Sequence, residues 1–129
     1  MIAYLDTSAA MKLLVNEAES ASLAAYLTAS ANRQLVASWL LHTELHCAAN
    51  RHPDDIDLAA VTVVLEVVSL IDLSRGDLLT AGTLPGRLRS NDAVHLAVAL
   101  RVGAEELITY DDELASVAAS AGVTIVRPA

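Results

Sequence analysis

The feature that most narrows the fold is an alternation. Five short apolar runs, "MIAYL", "QLVASW", "VVSLIDL", "EELITYD" and "VTIVR", are separated by segments whose apolar residues recur at helical spacing. Those segments are "TSAAMKLLV", "ESASLAAYLTASA", "LLHTELHCAANRH", "PDDIDLAAVTVVLE", "GDLLTAGTL", "DAVHLAVALRVG" and "DELASVAASAG", with "PGRLRSN" as a loop. Pro53 disfavours helix in the residue before it, so one helix ends there. With the acids that follow, it reads as the start of the next. Gly103 and Gly122 close two others. Several strand runs are uniformly apolar, which fits strands buried on both faces. The expectation is a parallel sheet covered by helices on both sides.

A chain of 129 residues fits one domain and can bury a core without staples. The hydrophobic share is 54% and the aromatic share 3%, so that core is built from Leu, Val, Ile and Ala. Such an apolar small domain is expected to hide some of its surface in a partner. The single cysteine, Cys47, excludes an intrachain disulfide and suits a reducing cytosol. The start "MIAYLDTSAAMK" has no basic stretch, and Asp6 interrupts its apolar run, so it does not read as a signal peptide. No uncharged apolar run approaches the roughly eighteen residues a membrane span needs. A net charge of −8 by itself argues against nucleic-acid binding, unless the acids are gathered to hold cations.

Two places compete for a site. In "HTELH", His42 and His46 are four apart, about 40° in helical azimuth, so they share a face, while Glu44 lies about 200° from His42. The zinc-protease pattern puts its glutamate directly after the first histidine, which this sequence does not, and no third ligand stands at a recognisable spacing. The pair reads as solvated or partly packed histidines. Glu44 has Leu40, Leu41, Cys47 and Ala48 as its helical neighbours. A carboxylate in that stripe leans to its edge, or needs a cation, a metal or a shared proton. Cys47 in the same stripe reads as a buried, inert thiol rather than a nucleophile.

Asp6 ends the first strand and Asp111 the "LITY" strand. In open α/β sheets ligands bind beyond such ends. Each also fits a helix N-cap, and Asp92 at the start of its helix fits a dipole-complementing acid. Asp54, Asp55, Asp57, Asp112 and Glu113 read as ordinary first-turn acids. Together, Asp6, Glu44, Asp92 and Asp111 occupy strand ends, a helix start and an inward helix face that can converge in a doubly wound sheet. Four carboxylates at close range repel unless divalent cations lie between them, and oxygen-only ligands favour Mg²⁺ or Mn²⁺ over zinc.

"YLDTSA", "TELHCAA", "RSNDAVHLAVAL" and "LITYDDEL" resemble the four acidic motifs of PIN-domain ribonucleases, closest to VapC toxins of type II toxin–antitoxin modules. The third is the most specific, with Asp92, Ala93, His95, Leu96 and Ala97 matching the D-A-x-H-L-A run. Asn91 stands where an apolar residue is common, and Asp112 adds an acid beside Asp111, which is favoured for the fourth role. The resemblance implies a PIN-like domain over residues 1–129 and a metal-dependent RNase, paired with a small antitoxin and leaving a 5′-phosphate and a 3′-hydroxyl. Asp6 and Asp92 would be the main metal ligands, with Glu44 and Asp111 acting through water or at a second position. Thr7, Ser8 or Thr109 would orient them. Lys12, Arg87 and Arg89, near the first and third motifs, are the candidate RNA contacts, although the two arginines also read as loop solubility charges. Few aromatics leave recognition to RNA shape and backbone. The apolar excess favours a homodimer with added antitoxin helices.

Rival readings fit less well. A receiver domain needs an acidic pair after its first strand and a lysine near its last, but Asp6 stands alone and Lys12 is the only lysine. A D-x-D phosphatase fails at Ser8. A degraded nuclease fold kept only to bind a partner is opposed by the presence of all four acids.

Overall fold

The computed structural model describes residues 1–30 and 32–129. The chain runs β1 (Ile2–Leu5), α1 (Thr7–Leu14), α2 (Ser20–Thr28), β2 (Gln34–Ser38), α3 (Leu40–Arg51) and α4 (Leu58–Glu66). It continues with β3 (Ser69–Ile71), α5 (Arg75–Ala81), α6 (Ser90–Arg101), β4 (Glu106–Ile108), α7 (Asp112–Ser120) and β5 (Thr124–Val126). The five strands form one sheet in the order β3-β2-β1-β4-β5, and every pairing is parallel. Helices α1 to α4 pack on one another, as do α5 to α7. With right-handed crossovers these groups cover opposite faces, giving the expected three layers.

The core is aliphatic, as the composition requires. Leu5, Val36, Leu107 and Ile108 from the sheet meet Leu41 and Leu45 of α3, Leu96 of α6 and Leu114 of α7, all buried. Alanines at 9, 10, 48, 49, 97, 99 and 118 are buried on the inner helix faces. Their small side chains let the helices approach the sheet closely.

The sequence reading places every element but overruns most ends. The strand runs trim to three to five residues. Pro53 does not open α4. It sits in a turn with Asp54 and Asp55, and the helix starts at Leu58, capped by Asp57, whose Oδ1 accepts from the Ala59 amide at 3.0 Å. Ala31, at the end of the "ESASLAAYLTASA" segment, lies outside the described residues.

The connection into α6 is pinned to α7. Gly86 has φ +85°, and a Cβ there would lie 2.6 Å from Val117 Cγ2 and 2.8 Å from Glu113 Oε1. One residue on, the Arg87 amide donates to Glu113 Oε1 at 2.8 Å. Gly86→Ala therefore combines left-handed strain with a clash and is expected to cost about 1–3 kcal/mol. At Gly103, φ is +71° with open space around it, so Gly103→Ala should cost less. Urea unfolding of the two variants decides, and equal costs would exclude the clash.

The chain leaves β1 toward β2 and later returns to β4 on the other side. The switch point thus lies between β1 and β4, where an open α/β sheet binds its ligand. Asp6 and the Thr109–Asp111 segment sit at that crevice.

Candidate active site

Asp6 follows β1 directly, and its amide donates to Ile108 O at 3.1 Å, which carries the sheet register up to the site. Its carboxylate is buried, and its two oxygens differ. Oδ2 accepts from Ser8 Oγ at 2.7 Å, Thr109 Oγ1 at 2.9 Å and the Ser8 amide at 3.3 Å. Oδ1 is buried with no hydrogen-bond partner. Capping α1 and serving a site are therefore compatible uses of one side chain. Ser8 Oγ also accepts from the Tyr110 amide at 2.9 Å, and Thr109 Oγ1 from the Asp111 amide at 3.1 Å. Two hydroxyls thus tie the start of α1 to the end of β4 around Asp6.

Asp111 caps α7, with Oδ1 accepting from the Leu114 amide at 2.8 Å. Asp112 instead pairs with Arg127 at 2.7 Å and is exposed. Asp92 is half-buried in the first turn of α6. Burial, then the charges of Asp6 and Asp111, push its carboxyl up to about 6, against opposing effects from Arg89 and His95. The three aspartates therefore share one electrostatic field.

Glu44 answers the need of a stripe-edge carboxylate in a specific way. Oε1 accepts from Thr7 Oγ1 at 2.8 Å and from His95 Nε2 at 2.5 Å, and Oε2 accepts from Asn91 Nδ2 at 2.8 Å. Burial opposes its charge, but these three hydrogen bonds prevail and hold its pKa below the usual value. Behind it lies a buried relay. The Ser38 amide donates to Tyr4 Oη at 2.9 Å, and Tyr4 Oη lies 2.6 Å from His95 Nδ1. With its oxygen accepting from the Ser38 amide, the Tyr4 hydroxyl donates its hydrogen bond to Nδ1. His95 then carries its own proton on Nε2, facing Glu44 and Thr7. His95 is fully buried.

The histidine pair stands apart from this network. His42 and His46 stack on each other with ring centroids 4.2 Å apart, Trp39 tilts against His42, and His46 Nδ1 lies 2.7 Å from the His42 carbonyl. Cys47 corrects the sequence reading: it is exposed, because it lies on the open side of α3 beside Glu44 and not under the helix.

Among the described residues, no group of three or more His, Cys, Asp or Glu side chains stands arranged to hold an ion. The donor chemistry nevertheless suits a hard divalent cation. All four acids offer oxygen, Asp6 presents a buried unpartnered oxygen, and burial, then the charges of Asp6 and Asp111, hold the Asp92 carboxyl high. The fit is to a cation drawn between Asp6 and Asp92, not to a preformed cage.

Residues 3–120 match the PIN domain. The chain belongs to the PIN-domain family. It is 37% identical to Ribonuclease VapC46 of Mycobacterium tuberculosis, over 97% of this chain and 96% of that protein. It is 32% identical to Ribonuclease VapC47 of the same species, over the same shares. Among solved structures it resembles VapBC2 from Rickettsia felis bound to a promoter DNA fragment, with TM-score 0.80, 16% identity and full coverage of both chains. It also resembles Mycobacterium tuberculosis VapC20, a Sarcin-Ricin loop cleaving toxin, with TM-score 0.73 and 20% identity over 98% of this chain and 99% of that one.

In this PIN domain the hydroxyls divide their work: Ser8 and Thr109 hold Asp6, and Thr7 turns to Glu44. Of the cations singled out in the sequence, Arg89 is exposed at the N-cap of α6, and its charge acts on Asp92. Arg87 is exposed on the preceding loop. Lys12 is committed elsewhere: Nζ lies 2.9 Å from both Glu17 and Glu19 and sits over the Tyr110 ring. Sequence reading passed over Tyr4 and gave His95 only as a match to the third motif, without a role. Two periodicities carried the signal, since Tyr4 shares a strand face with Asp6 and His95 lies one helical turn from Asp92. Asn91, read there as a departure from the family pattern, holds Glu44.

Proposed function

We propose that this PIN domain is a metal-dependent endoribonuclease of the toxin type, which hydrolyses RNA phosphodiester bonds and is neutralised by a small cognate antitoxin. The observation that carries the reading is the buried, unpartnered Asp6 Oδ1 in the same field as Asp92 and Asp111. The names of its relatives, Ribonuclease VapC46 and VapC47, support the reaction. Two fold neighbours, VapBC2 from Rickettsia felis and a toxin-antitoxin complex from Klebsiella pneumoniae, support the partner.

Asp6 and Asp92 would hold Mg²⁺, or Mn²⁺ in its place, with Asp111 and Glu44 completing the site directly or through water. The bound ion supplies charge relief at the phosphate and a water acidic enough to attack at neutral pH. The chain's residues do the rest. Ser8 and Thr109 fix the Asp6 carboxylate so that Oδ1 points free. The Tyr4–His95 relay holds Glu44 ionised and oriented at the edge of the site. Arg87 and Arg89 face RNA phosphates from the rim, and Lys12 contributes there only by exchanging Glu17 and Glu19 for phosphate. Exposed Val63 on α4, Val67 just after it, and Leu78 and Leu79 on α5 offer apolar surface to a second copy of the chain and to the antitoxin. The free thiol of Cys47 suits a reducing cytoplasm.

Purified protein incubated with RNA should cleave it when Mg²⁺ or Mn²⁺ is supplied and stop in excess EDTA. Undiminished cleavage in chelator would refute the metal-dependent reading. Folded protein inert toward RNA yet binding its partner would identify a binding module only.

A further inference from the structure

We propose that the cleft between α1, α3 and the start of α6 is a ribonucleotide subsite in which Arg51 takes the phosphate neighbouring the one cleaved. The proposal rests on the ribonuclease reading above. The cleft has a volume of about 450 Å³ and opens directly beside Glu44. Met11 and Ala48 give it apolar surface, Thr7, Thr43, Asn91 and His52 supply polar groups beside Glu44, and Arg51 is its permanent cation. An apolar floor for base or ribose, with a hydrogen-bonding rim and one guanidinium, is the chemistry a single nucleotide needs.

The charges of the molecule single out this cleft. The chain has eight Lys and Arg residues against a net charge of −8. Lys12, Arg33, Arg101 and Arg127 are paired with carboxylates. Among the described residues, Arg51, Arg75, Arg87 and Arg89 have no such partner. Arg89 acts on Asp92, and Arg51 borders the cleft shared with Glu44. Arg51 lies seven residues beyond Glu44 on α3, about 10 Å along the axis. A polyanion crossing the acid cluster therefore meets a free guanidinium at the next cavity. Two cavities of comparable size offer none. The one between α5 and α6 has no charged lining residue, and the groove between α2 and α4 has only Arg33, held by the Tyr26 carbonyl and Glu106.

Cys47 lines the same cleft, is exposed, and is the only cysteine, so its alkylation reports on occupancy without reference to cleavage. The test uses Asp92→Asn protein, which does not consume its ligand, with Mg²⁺ and a short mixed-sequence single-stranded RNA. RNA should slow maleimide alkylation of Cys47 several-fold, and adding Arg51→Ala should remove the protection. In the otherwise wild-type enzyme, Arg51→Ala should raise KM about tenfold with kcat within about twofold, the signature of lost uniform binding. Arg51→Lys should recover part of the affinity. Equal alkylation rates with and without RNA, while a gel shift shows RNA bound, overturn the proposal, as does an unchanged KM in Arg51→Ala. So does shielding of Cys47 by a protein partner but not by RNA. If Arg51→Ala fails to fold, protection in the Arg51-containing protein decides alone. Failure of wild-type protein to cleave RNA with Mg²⁺ counts against the ribonuclease reading, whereas cleavage without shielding counts against the subsite only.

Discussion

Asp92→Asn is expected to abolish RNA cleavage and to raise the melting temperature of the metal-free protein. The Asp92 carboxyl moves from its ordinary 3.8 to about 6 in the fold, because burial and then Asp6 and Asp111 disfavour its charge. Between those values the folded state binds more protons than the unfolded one. Stability from this group is therefore present at low pH and lost as pH rises through about 6. At neutral pH the wild type carries the whole penalty. The shift corresponds to about 3 kcal/mol, which solvent screening at a half-buried group reduces to about 1–2 kcal/mol. Asn keeps the shape without the charge. The gain over wild type should thus be largest above pH 6 and vanish near pH 4, as urea unfolding at several pH values would show. Mg²⁺ should stabilise the wild type more than the variant, since it binds only the folded state. Asp6 behaves differently. Asp6→Asn retains a capping oxygen for Ser8 and Thr109 and should stay within about 1 kcal/mol of wild type, whereas Asp6→Ala loses three hydrogen bonds in a buried place and should cost about 2–4 kcal/mol. Cleavage should fall at least about a hundredfold in all three. A clear loss of stability in Asp92→Asn would mean that Asp92 serves its helix dipole more than a site.

What the sequence disclosed, and what it withheld, follows from distance. Uniform apolar runs and helical spacing are local, so the layered parallel fold was legible from "MIAYL" to "VTIVR", though the three-residue strands β3, β4 and β5 were overestimated. The acids were legible because they stop apolar runs, and a charge at such a place needs a reason. Helix capping and site chemistry looked like alternatives for Asp6 only because a sequence does not show that a carboxylate has two oxygens with separate partners. Long-range pairing was not legible. Tyr4 and His95 meet across 91 residues, and nothing local marks either as the other's partner. The burial of Cys47 was misjudged because a helical wheel gives the direction of a side chain but not where the neighbouring helix ends. There the stripe opens into the cleft beside Glu44. Lys12 looked free because its partners, Glu17 and Glu19, come from the following turn.

The Glu44→Gln variant should fold and lose cleavage by about two orders of magnitude or more, while His42→Ala and His46→Ala keep most of theirs. The amide oxygen of Gln can take the place of Oε1 and accept from Thr7 and His95. Its amide nitrogen would face the Asn91 amide nitrogen, donor against donor, but Asn91 is exposed and can turn its oxygen inward. Stability therefore survives, and the charge is what disappears. His95→Ala is the harsher change at the same place. It leaves the Tyr4 hydroxyl without an acceptor and Glu44 without its shortest donor, both inside the protein, and should cost about 3–5 kcal/mol. His42 and His46 stack on each other, and Trp39 tilts against His42, away from Glu44, so truncating either histidine removes a surface contact. Cleavage rates, melting temperatures and retained zinc across these four variants separate the cases. A dead His46→Ala protein that carries zinc, beside a fully active Glu44→Gln protein, would move the chemistry of α3 from the glutamate to the histidines.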